Sequence, residues 1–286
     1  MTRRGLFAPL LGAVAAACSP LGLLNSLGPR DRGAGRVARD LAYGPEDRQR
    51  LDVWAPDGPR PPGGWPVLVF FYGGGWDSGD RGLYGWAAQA LAARGFTVAV
   101  PDYRLVPGVH FPAFVEDAAA ATALAGRIAP DHGGDPARLG VIGHSAGAHL
   151  ATMIALDRRY MEGAGAPDLI RAAAGLAGPY DFLPFDVPAS VNAFGRAHDP
   201  TLTQPVAFVR PDAPPLWLGH GTGDRVVHAE DTVILCERLR AVGGRCEARL
   251  YEGLSHADLI ATFSPLFRDK APVLDEATDF LRRALA

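Results

Sequence analysis

Short apolar runs and segments of helical periodicity alternate along this chain from residue 51 to its end. The apolar runs have the length of strands and cover residues 51–55, 67–72, 96–100, 139–142, 172–176, 216–218 and 247–251. Segments with apolar side chains at helical spacing cover residues 83–94, 114–129, 146–156, 229–242 and 275–285. Because strand–helix–strand crossovers align consecutive strands, the pattern predicts an α/β fold with a mostly parallel central sheet flanked by helices.

Composition narrows the function classes. The chain has 286 residues, of which 48% are hydrophobic and 21% charged, so it can bury a core and is not disordered. A net charge of -3 leaves no broad basic surface, so we expect no nucleic-acid partner. No zinc-spaced ligand cluster and no glycine motif for nucleotides is present, so we expect no cofactor and no metal. The oligomeric state stays open.

Two segments interrupt the alternation. Residues 30–39 are charged and glycine-rich, which predicts an exposed linker, with the first element near Asp40 in a single domain of residues 31–286. Residues 180–215 are rich in Pro, Phe and Gly and lie between two predicted strands. Long irregular insertions inside a compact domain are usually functional, so we expect a small cap over the site here.

The N-terminus has the order of an export signal. Arg3 and Arg4 precede an uncharged stretch, and its apolar part is shorter than the roughly 20 residues of a membrane span. We therefore expect residues 1–30 to be a signal peptide or a lipoprotein anchor of an exported bacterial protein, either periplasmic or lipid-anchored in the envelope. Residues 15–18 resemble a lipoprotein cleavage box in which Cys18 would carry the lipid and attach the chain to a membrane; a plain signal peptide is the alternative.

Cys236 and Cys246 are the other cysteines, and an oxidising compartment would allow them to form one disulfide. The predicted helix carries Cys236 about 9 Å from its end at Val242, at about 1.5 Å per residue, whereas Cys246 opens the next strand. That offset strains the separation that a disulfide needs. We therefore expect two small buried hydrophobic residues.

The pentapeptide GHSAG, residues 143–147, lies where a predicted strand meets a predicted helix. A turn this tight holds the serine in a strained conformation between glycines and lifts its hydroxyl clear of the sheet. The helix N-terminus adds a positive dipole beneath the hydroxyl. Ser145 is therefore the predicted nucleophile.

The sequence YGGGW, residues 72–76, follows the run VLVFF and should lie at the same sheet edge as Ser145. Three glycines allow successive backbone N–H groups to point at one oxyanion, together with the N–H of Ala146. We therefore expect this loop to stabilise an oxyanion.

A serine nucleophile needs a base, and the expected chain order on this fold is Ser, then Asp or Glu, then His. Asp224 follows a predicted strand within HGTGDRVV, and His256 lies in the loop GLSHAD after the last strand. Asp231 is the nearest rival acid, but it falls inside the following helix. The other histidines have unsuitable positions in the chain, namely His110, His132, His144, His149, His198, His220 and His228.

Together the motifs YGGGW, PDYRLVPGVHFPAFVEDAAAA, GHSAG, HGTGDRVV and GLSHAD resemble those of α/β-hydrolase esterases of the hormone-sensitive-lipase-like and feruloyl-esterase-like type. The resemblance covers the chain from about Asp52 to its end and implies the α/β-hydrolase fold. Its implied site is a nucleophile with two partners and three oxyanion N–H groups: Ser145, Asp224, His256, Gly74, Gly75 and Ala146. It also implies that residues 102–112 support the oxyanion loop.

One residue departs from that family pattern. Tyr72 stands before the glycines, where many relatives carry histidine. Because the glycine amides bind the oxyanion, we expect activity to survive, while the ordering of this loop is open to question.

The expected function is a serine carboxylic ester hydrolase that forms an acyl-enzyme intermediate. The predicted cap is shorter than a typical lipase lid, which favours short-chain or aryl esters as the small-molecule substrate. An arylformamidase-type amide hydrolase, similar to kynurenine formamidases, is the alternative, although an exported location argues against it. A non-catalytic ligand-binding protein of this fold is less favoured, because Ser145, Asp224 and His256 are all present.

Overall fold

The computed structural model describes residues 24, 25 and 28–286. Cys18 and most of the predicted signal peptide or lipoprotein anchor lie outside the described residues. In the described part of the chain, no helix combines the length and apolar character needed to cross a membrane.

One eight-stranded sheet forms the centre of the described region, with the strand order β1-β2-β4-β3-β5-β6-β7-β8. The strands are β1 (Ala34–Ala42), β2 (Arg50–Pro56), β3 (Trp65–Phe71), β4 (Thr97–Pro101), β5 (Gly134–His144), β6 (Ile170–Leu176), β7 (Leu216–Gly221) and β8 (Cys246–Tyr251). Strand β2 pairs antiparallel with both β1 and β4, and the other five pairs, from β4 across the sheet to β8, are parallel. The predicted α/β fold with a mostly parallel sheet is therefore confirmed.

Helices cover the sheet and the site. Those of the described region are α1 (Gly85–Ala93), α2 (Ala113–Ile128), α3 (Ala146–Leu156), α4 (Arg158–Gly163), α5 (Pro188–Phe194), α6 (Ala229–Ala241), α7 (His256–Ala261) and α8 (Val273–Ala284). The short helices α4, α5 and α7 were not expected, because six or seven residues are too few to show a clear period.

The core lies around the central strands. The side chains from Leu68 to Phe71 on β3 are fully buried, and every residue of α3 is buried. Strand β3 lies between β4 and β5, so the chain changes direction across the sheet at this point. Ligands of open α/β sheets bind at such a switch point, outside the carboxyl ends of the strands. Phe71 pairs with Gly143, and this register brings the ends of β3 and β5 side by side.

The expected linker over residues 30–39 is wrong, because β1 (Ala34–Ala42) forms the edge of the sheet. Three of its nine residues are charged and only Ala34 is buried, so apolar and polar residues do not alternate regularly along it. The strand is held by ladder bonds to β2 and by Arg36, whose Nη1 lies 2.8 Å from Asp52 Oδ2. An edge strand that is largely exposed needs no regular apolar face, so no apolar period predicted it.

The expectation for the two cysteines is also wrong. A disulfide joins Cys236 and Cys246, whose Cα atoms are 5.3 Å apart. Helix α6 ends in a tight reversal, in which Gly243 has a φ of 90° and its N–H donates to the carbonyl of Arg240 at 2.9 Å. The chain therefore returns alongside the last turns of the helix, whereas the prediction measured only the rise along the helix axis.

Candidate active site

Ser145 occupies the turn between β5 and α3. Its backbone angles, a φ of 55° and a ψ of -124°, lie in a region that residues other than glycine rarely adopt. A Cβ on Gly143 would lie 2.1 Å from the carbonyl oxygen of Gly147, and one on Gly147 would lie 2.1 Å from that of Phe71. Both flanking glycines are therefore required by the close approach of the backbone, as the motif predicts.

The structure brings the three predicted residues into one chain of hydrogen bonds. The Nε2 atom of His256 lies 2.8 Å from Ser145 Oγ, and its Nδ1 lies 2.7 Å from Asp224 Oδ2. His256 is the first residue of α7, where the preceding Ser255 caps the helix. It was expected in a loop, but its place after the last strand is as predicted.

The carboxylate of Asp224 is fully buried and saturated with donors. Its Oδ1 accepts the backbone N–H groups of Val226 at 2.8 Å and Val227 at 3.0 Å. Burial raises the pKa of Asp224, but hydrogen bonds from His220, His256 and Val227 outweigh this effect and hold the pKa below its usual range. Asp224 is therefore ionised and fixed in orientation.

The oxyanion loop places free amides beside the serine. Gly74 has a φ of 142° and Gly75 a φ of 56°, and both line the same cavity as Ser145. The carbonyl of Gly74 is turned away from the site, where it accepts the N–H of Ser78 at 3.0 Å. Among the hydrogen bonds of the described residues, none uses the N–H groups of Gly74, Gly75 or Ala146. These donors are available to a ligand in the cavity.

Tyr72 supports this loop in place of the histidine of many relatives. Its ring stacks with those of Tyr84 and Tyr103, with centroid distances of 5.7 and 4.8 Å. Its hydroxyl donates to Asp102 Oδ1 at 3.0 Å and accepts from Arg48 Nη2 at 2.8 Å. The loop is therefore ordered by a buried hydroxyl, an acid and a guanidinium.

The segment of residues 102–112 contacts the oxyanion loop as the family resemblance implies. The N–H of Val106 donates to the carbonyl of Trp76 at 3.0 Å. Asp102 accepts the backbone N–H of Arg81 at 2.6 Å and also binds its guanidinium.

A cavity of about 550 Å³ opens above Ser145. The segment predicted as a cap, residues 180–215, contains α5 and two short 3-10 helices, and its first part lines this cavity. Phe182 and Phe194 of this segment pack against Trp76 of the oxyanion loop, with centroid distances of 6.3 and 4.7 Å. The expected position of the cap over the site is thus observed.

Two buried histidines, one on each side of Ser145 in the chain, form hydrogen bonds of their own. The Nε2 atom of His144 lies 3.1 Å from the carbonyl oxygen of His256, and burial lowers the pKa of His144 to about 3. The Nε2 atom of His149 lies 2.9 Å from the carbonyl oxygen of Thr203 in the cap segment. Asp231, the rival acid, lies within α6 and accepts the N–H of Tyr180 at 2.9 Å.

His220 is the residue of this site that sequence reasoning missed. Its Nε2 lies 3.1 Å from Asp224 Oδ2, yet it was set aside because it precedes the acid in the chain. One sequence feature could have indicated it: His220 lies near the end of β7, and Asp224 follows the same strand four residues after His220.

Comparison with known proteins identifies the family of this chain. The model of the BD-FAE family matches residues 51–239. Isoprenylcysteine alpha-carbonyl methylesterase of Arabidopsis thaliana is 30% identical over 270 residues, covering 84% of this chain and 61% of that protein. Esterase LipC of Mycobacterium tuberculosis is 33% identical over 224 residues, covering 71% of this chain and 55% of that protein. The chain therefore spans 61% or less of the length of these two curated relatives.

A solved structure shares the fold. The butyrate-bound esterase Est2 of the Planctomycetes species Thermogutta terrifontis has a TM-score of 0.70 at 25% identity, covering 88% of this chain and 94% of that one. The matched family region includes β2 to β7, the oxyanion loop, Ser145 and Asp224. The chain belongs to the BD-FAE family, within the α/β-hydrolase superfamily.

Proposed function

We propose that this chain is a serine carboxylic ester hydrolase that works through an acyl-enzyme intermediate. The observation that carries the proposal is the hydrogen-bonded series Ser145, His256 and Asp224, which opens into a cavity beside three free N–H groups. The names of the two curated relatives reported above, a methylesterase and an esterase, support the same reaction class.

The proposed reaction starts with attack of Ser145 Oγ on the ester carbonyl carbon, while His256 Nε2 takes the hydroxyl proton. The carbonyl oxygen becomes an oxyanion that accepts the N–H groups of Gly74, Gly75 and Ala146. When the carbon–oxygen bond to the alcohol breaks, His256 returns the proton to the leaving oxygen. Water then attacks the acyl-enzyme by the same route and releases the acid.

The ionised Asp224 has two roles in this scheme. Its Oδ2 accepts the Nδ1–H of His256, which leaves Nε2 free to accept the serine proton. Its negative charge stabilises the imidazolium that forms during each half-reaction. Since burial and four hydrogen bonds fix this carboxylate, it requires little reorganisation when the charge appears.

The cavity favours short-chain or aryl esters. It has a volume of about 550 Å³ and is lined by apolar side chains of the cap and of α7, such as Phe182, Val187 and Ile260. A site of this size surrounds a small acyl or aryl group with apolar contacts. The aromatic packing of the cap against Trp76 limits the depth available to a long chain.

The test is hydrolysis of p-nitrophenyl acetate, butyrate, octanoate and palmitate by the full chain. We expect the rates to concentrate at acetate and butyrate and to fall by at least about 10³-fold in Ser145→Ala. Ser264→Ala, in a serine outside the cavity, is the matched control. A folded protein that hydrolyses no ester, or a Ser145→Ala variant that keeps its turnover, would contradict the proposal.

The chemical step can be followed separately. A fluorophosphonate should modify Ser145 alone, and the modified peptide identifies the nucleophile by mass spectrometry. A burst of p-nitrophenol equal to the enzyme concentration would report the acyl-enzyme. An aryl formamide is included as a competing substrate. A higher kcat/KM for the formamide than for any ester would favour the alternative function, an amide hydrolase.

Export and lipidation of Cys18 are a separate part of the proposal, motivated by the charged and then apolar order of residues 3–17. We expect the chain to incorporate labelled fatty acid when it is expressed in a bacterium and to sediment with membranes. Cys18→Ser should abolish both. A wild-type chain that is exported without label would favour the plain signal peptide, and one that stays in the cytosol would contradict export.

A further inference from the structure

We propose that His220 is a positioning residue that holds the carboxylate of Asp224 in the orientation needed by His256. This inference rests on the proposed ester hydrolase function and adds a fourth side chain to it. His220 lies at the end of β7, one residue before the strand ends at Gly221, and its side chain is fully buried. Its ring joins the acid to helix α6.

The neighbours of the ring define its tautomer. The Nε2 atom lies 3.1 Å from Asp224 Oδ2 and 3.2 Å from the carbonyl oxygen of Val227. Both of these atoms are acceptors, so Nε2 carries the hydrogen and donates it. In the neutral ring Nδ1 then carries no hydrogen, so it accepts the hydroxyl hydrogen of Thr232, whose Oγ1 lies 2.8 Å away. A series of hydrogen bonds with one direction of donation therefore runs from Thr232 through His220 to Asp224.

Two imidazole rings thus donate to the same oxygen. Asp224 Oδ2 accepts Nδ1–H of His256 at 2.7 Å and Nε2–H of His220 at 3.1 Å, while Oδ1 accepts two backbone N–H groups. Each oxygen of this buried carboxylate thus accepts two hydrogen bonds, and rotation of the carboxylate would break at least one of the four. The ring of His220 is therefore part of what directs Oδ2 at His256.

The second donor also affects the chemistry at His256. A hydrogen bond from His220 stabilises negative charge on Oδ2 and so weakens the pull of that oxygen on the Nδ1–H of His256. Removing the donor leaves a buried carboxylate with one fewer partner, and its attraction for the protonated form of His256 increases. The acid limb of the activity profile should then move to higher pH. Loss of folded protein alone changes the amplitude of the profile without moving it.

Four other titratable groups lie near this pair. Asp231 is on α6, and His144, at the end of β5, contacts the backbone of His256. Arg225 and His228 line the same cavity as His256. Substitutions at His220 and Thr232 leave all four groups in place, so a shift of the pH profile reports the altered series of hydrogen bonds.

The experiment compares three variants in the full chain. His220→Leu removes the donor, His220→Gln restores an N–H near the position of Nε2, and Thr232→Val removes the hydroxyl at nearly constant shape. Thr122→Val is the matched control, because Thr122 is a buried helical threonine whose hydroxyl bonds only to the carbonyl of Ala118. Fluorophosphonate titration gives the concentration of competent sites in each sample.

We expect kcat per competent site to fall about 10-fold to 100-fold in His220→Leu, with KM changed by less than about 2-fold. The acid limb should move up by about half a pH unit or more, Thr232→Val should show a smaller change in the same direction, and His220→Gln should recover most of the loss. If kcat per competent site and the acid limb are unchanged in His220→Leu, the inference is overturned. A fall in competent sites alone, with an unshifted limb, also overturns it.

One readout does not depend on turnover. The hydrogen between His256 Nδ1 and Asp224 gives a downfield proton resonance, which we expect to shift in His220→Leu and to return towards its wild-type position in His220→Gln. If the wild-type protein hydrolyses no ester, the proposed function fails, whereas this resonance still decides the role of His220. An unchanged resonance in His220→Leu would refute the positioning role even in an active enzyme.

Discussion

His149 joins helix α3 to the cap segment, and its pKa allows us to predict how the free energy of unfolding depends on pH. His149 lies on α3 and is fully buried, and its ring packs edge-on against Trp76 and Phe194 with centroid distances of 5.3 and 5.2 Å. Burial lowers the pKa of His149 from 6.5 to about 4, and the hydrogen bond to the carbonyl of Thr203 offsets part of that effect. The ring is therefore neutral in the folded protein at pH 7.

The sign follows from where the proton binds. Between pH 6.5 and pH 4 the imidazole of the unfolded chain is protonated while that of the folded protein is not, so acidification over this window favours unfolding. Below about pH 4 both forms carry the proton and no further loss arises from this group. A difference of about 2.5 pKa units corresponds to about 3 kcal/mol, at 1.36 kcal/mol per unit. The stability associated with His149 is complete above pH 6.5 and is lost as pH falls to 4.

The assay is denaturant unfolding followed by tryptophan fluorescence at several pH values from 8 to 4. His149→Gln keeps an N–H for the carbonyl of Thr203 but cannot take the proton. The difference in unfolding free energy between wild type and this variant should fall by about 3 kcal/mol between pH 7 and pH 4. His198→Gln, in an exposed ring, is the matched control. Parallel curves for wild type and His149→Gln over this range would refute the reasoning.

Three further predictions follow from close contacts and cross-links. Gly147→Ala should lower the free energy of unfolding by more than about 3 kcal/mol in chemical denaturation, because its Cβ would lie 2.1 Å from a backbone oxygen of β3; a stable variant would contradict that packing. Replacing both Cys236 and Cys246 by Ala should cost about 2.7 kcal/mol by the loop-entropy relation for a separation of 10 residues, and an unchanged denaturation midpoint would count against the disulfide. Tyr72→Phe removes the hydroxyl from Asp102 and should lower kcat about 10-fold with little change in KM, measured against Tyr251→Phe.

The parts of the site that local geometry determines could be predicted from the sequence. The turn at Ser145 needs glycine on both sides, because backbone atoms of α3 lie too close to Gly143, and those of β3 too close to Gly147, for a Cβ to fit. The five consecutive residues of the motif are therefore enough to predict this turn. The order of nucleophile, acid and histidine follows the order of the strands, so Asp224 and His256 could be selected from many carboxylates and eight histidines. The central strands were equally clear, because burial on both faces makes them continuously apolar.

Other features depend on contacts between distant segments and leave no local pattern. Strand β1 carries three charges and buries only Ala34, so its pairing with β2 shows only in three dimensions. The disulfide depends on the reversal after α6, which returns Cys246 to the helix. His220 acts on an acid four residues later through a turn whose shape the sequence does not specify. Each of these features depends on which segments of the chain meet in space, and hydrophobic periodicity carries no information about that.

The site is assembled from two halves that one strand holds together. The nucleophile and the oxyanion loop follow β5 and β3, which are neighbours, whereas the acid and the histidine follow β7 and β8. Strand β6 lies between these pairs. At its end the carbonyl of Leu176 accepts the N–H of Ser145 at 2.8 Å, and the N–H of Ala177 donates to the carbonyl of Gly219 at 2.9 Å.

Ala177 has a φ of 49°, a left-handed conformation that is strained for a residue other than glycine, so the chain bends sharply where the two halves meet. The ring of His144 adds a second connection, from the nucleophile turn to the backbone of His256. The Ser145 to His256 distance of 2.8 Å therefore depends on the end of β6 and on His144, although neither touches the ester in the proposed reaction. The strained backbone at this junction therefore helps to set the distance between the two halves of the site, and not only the stability of either half.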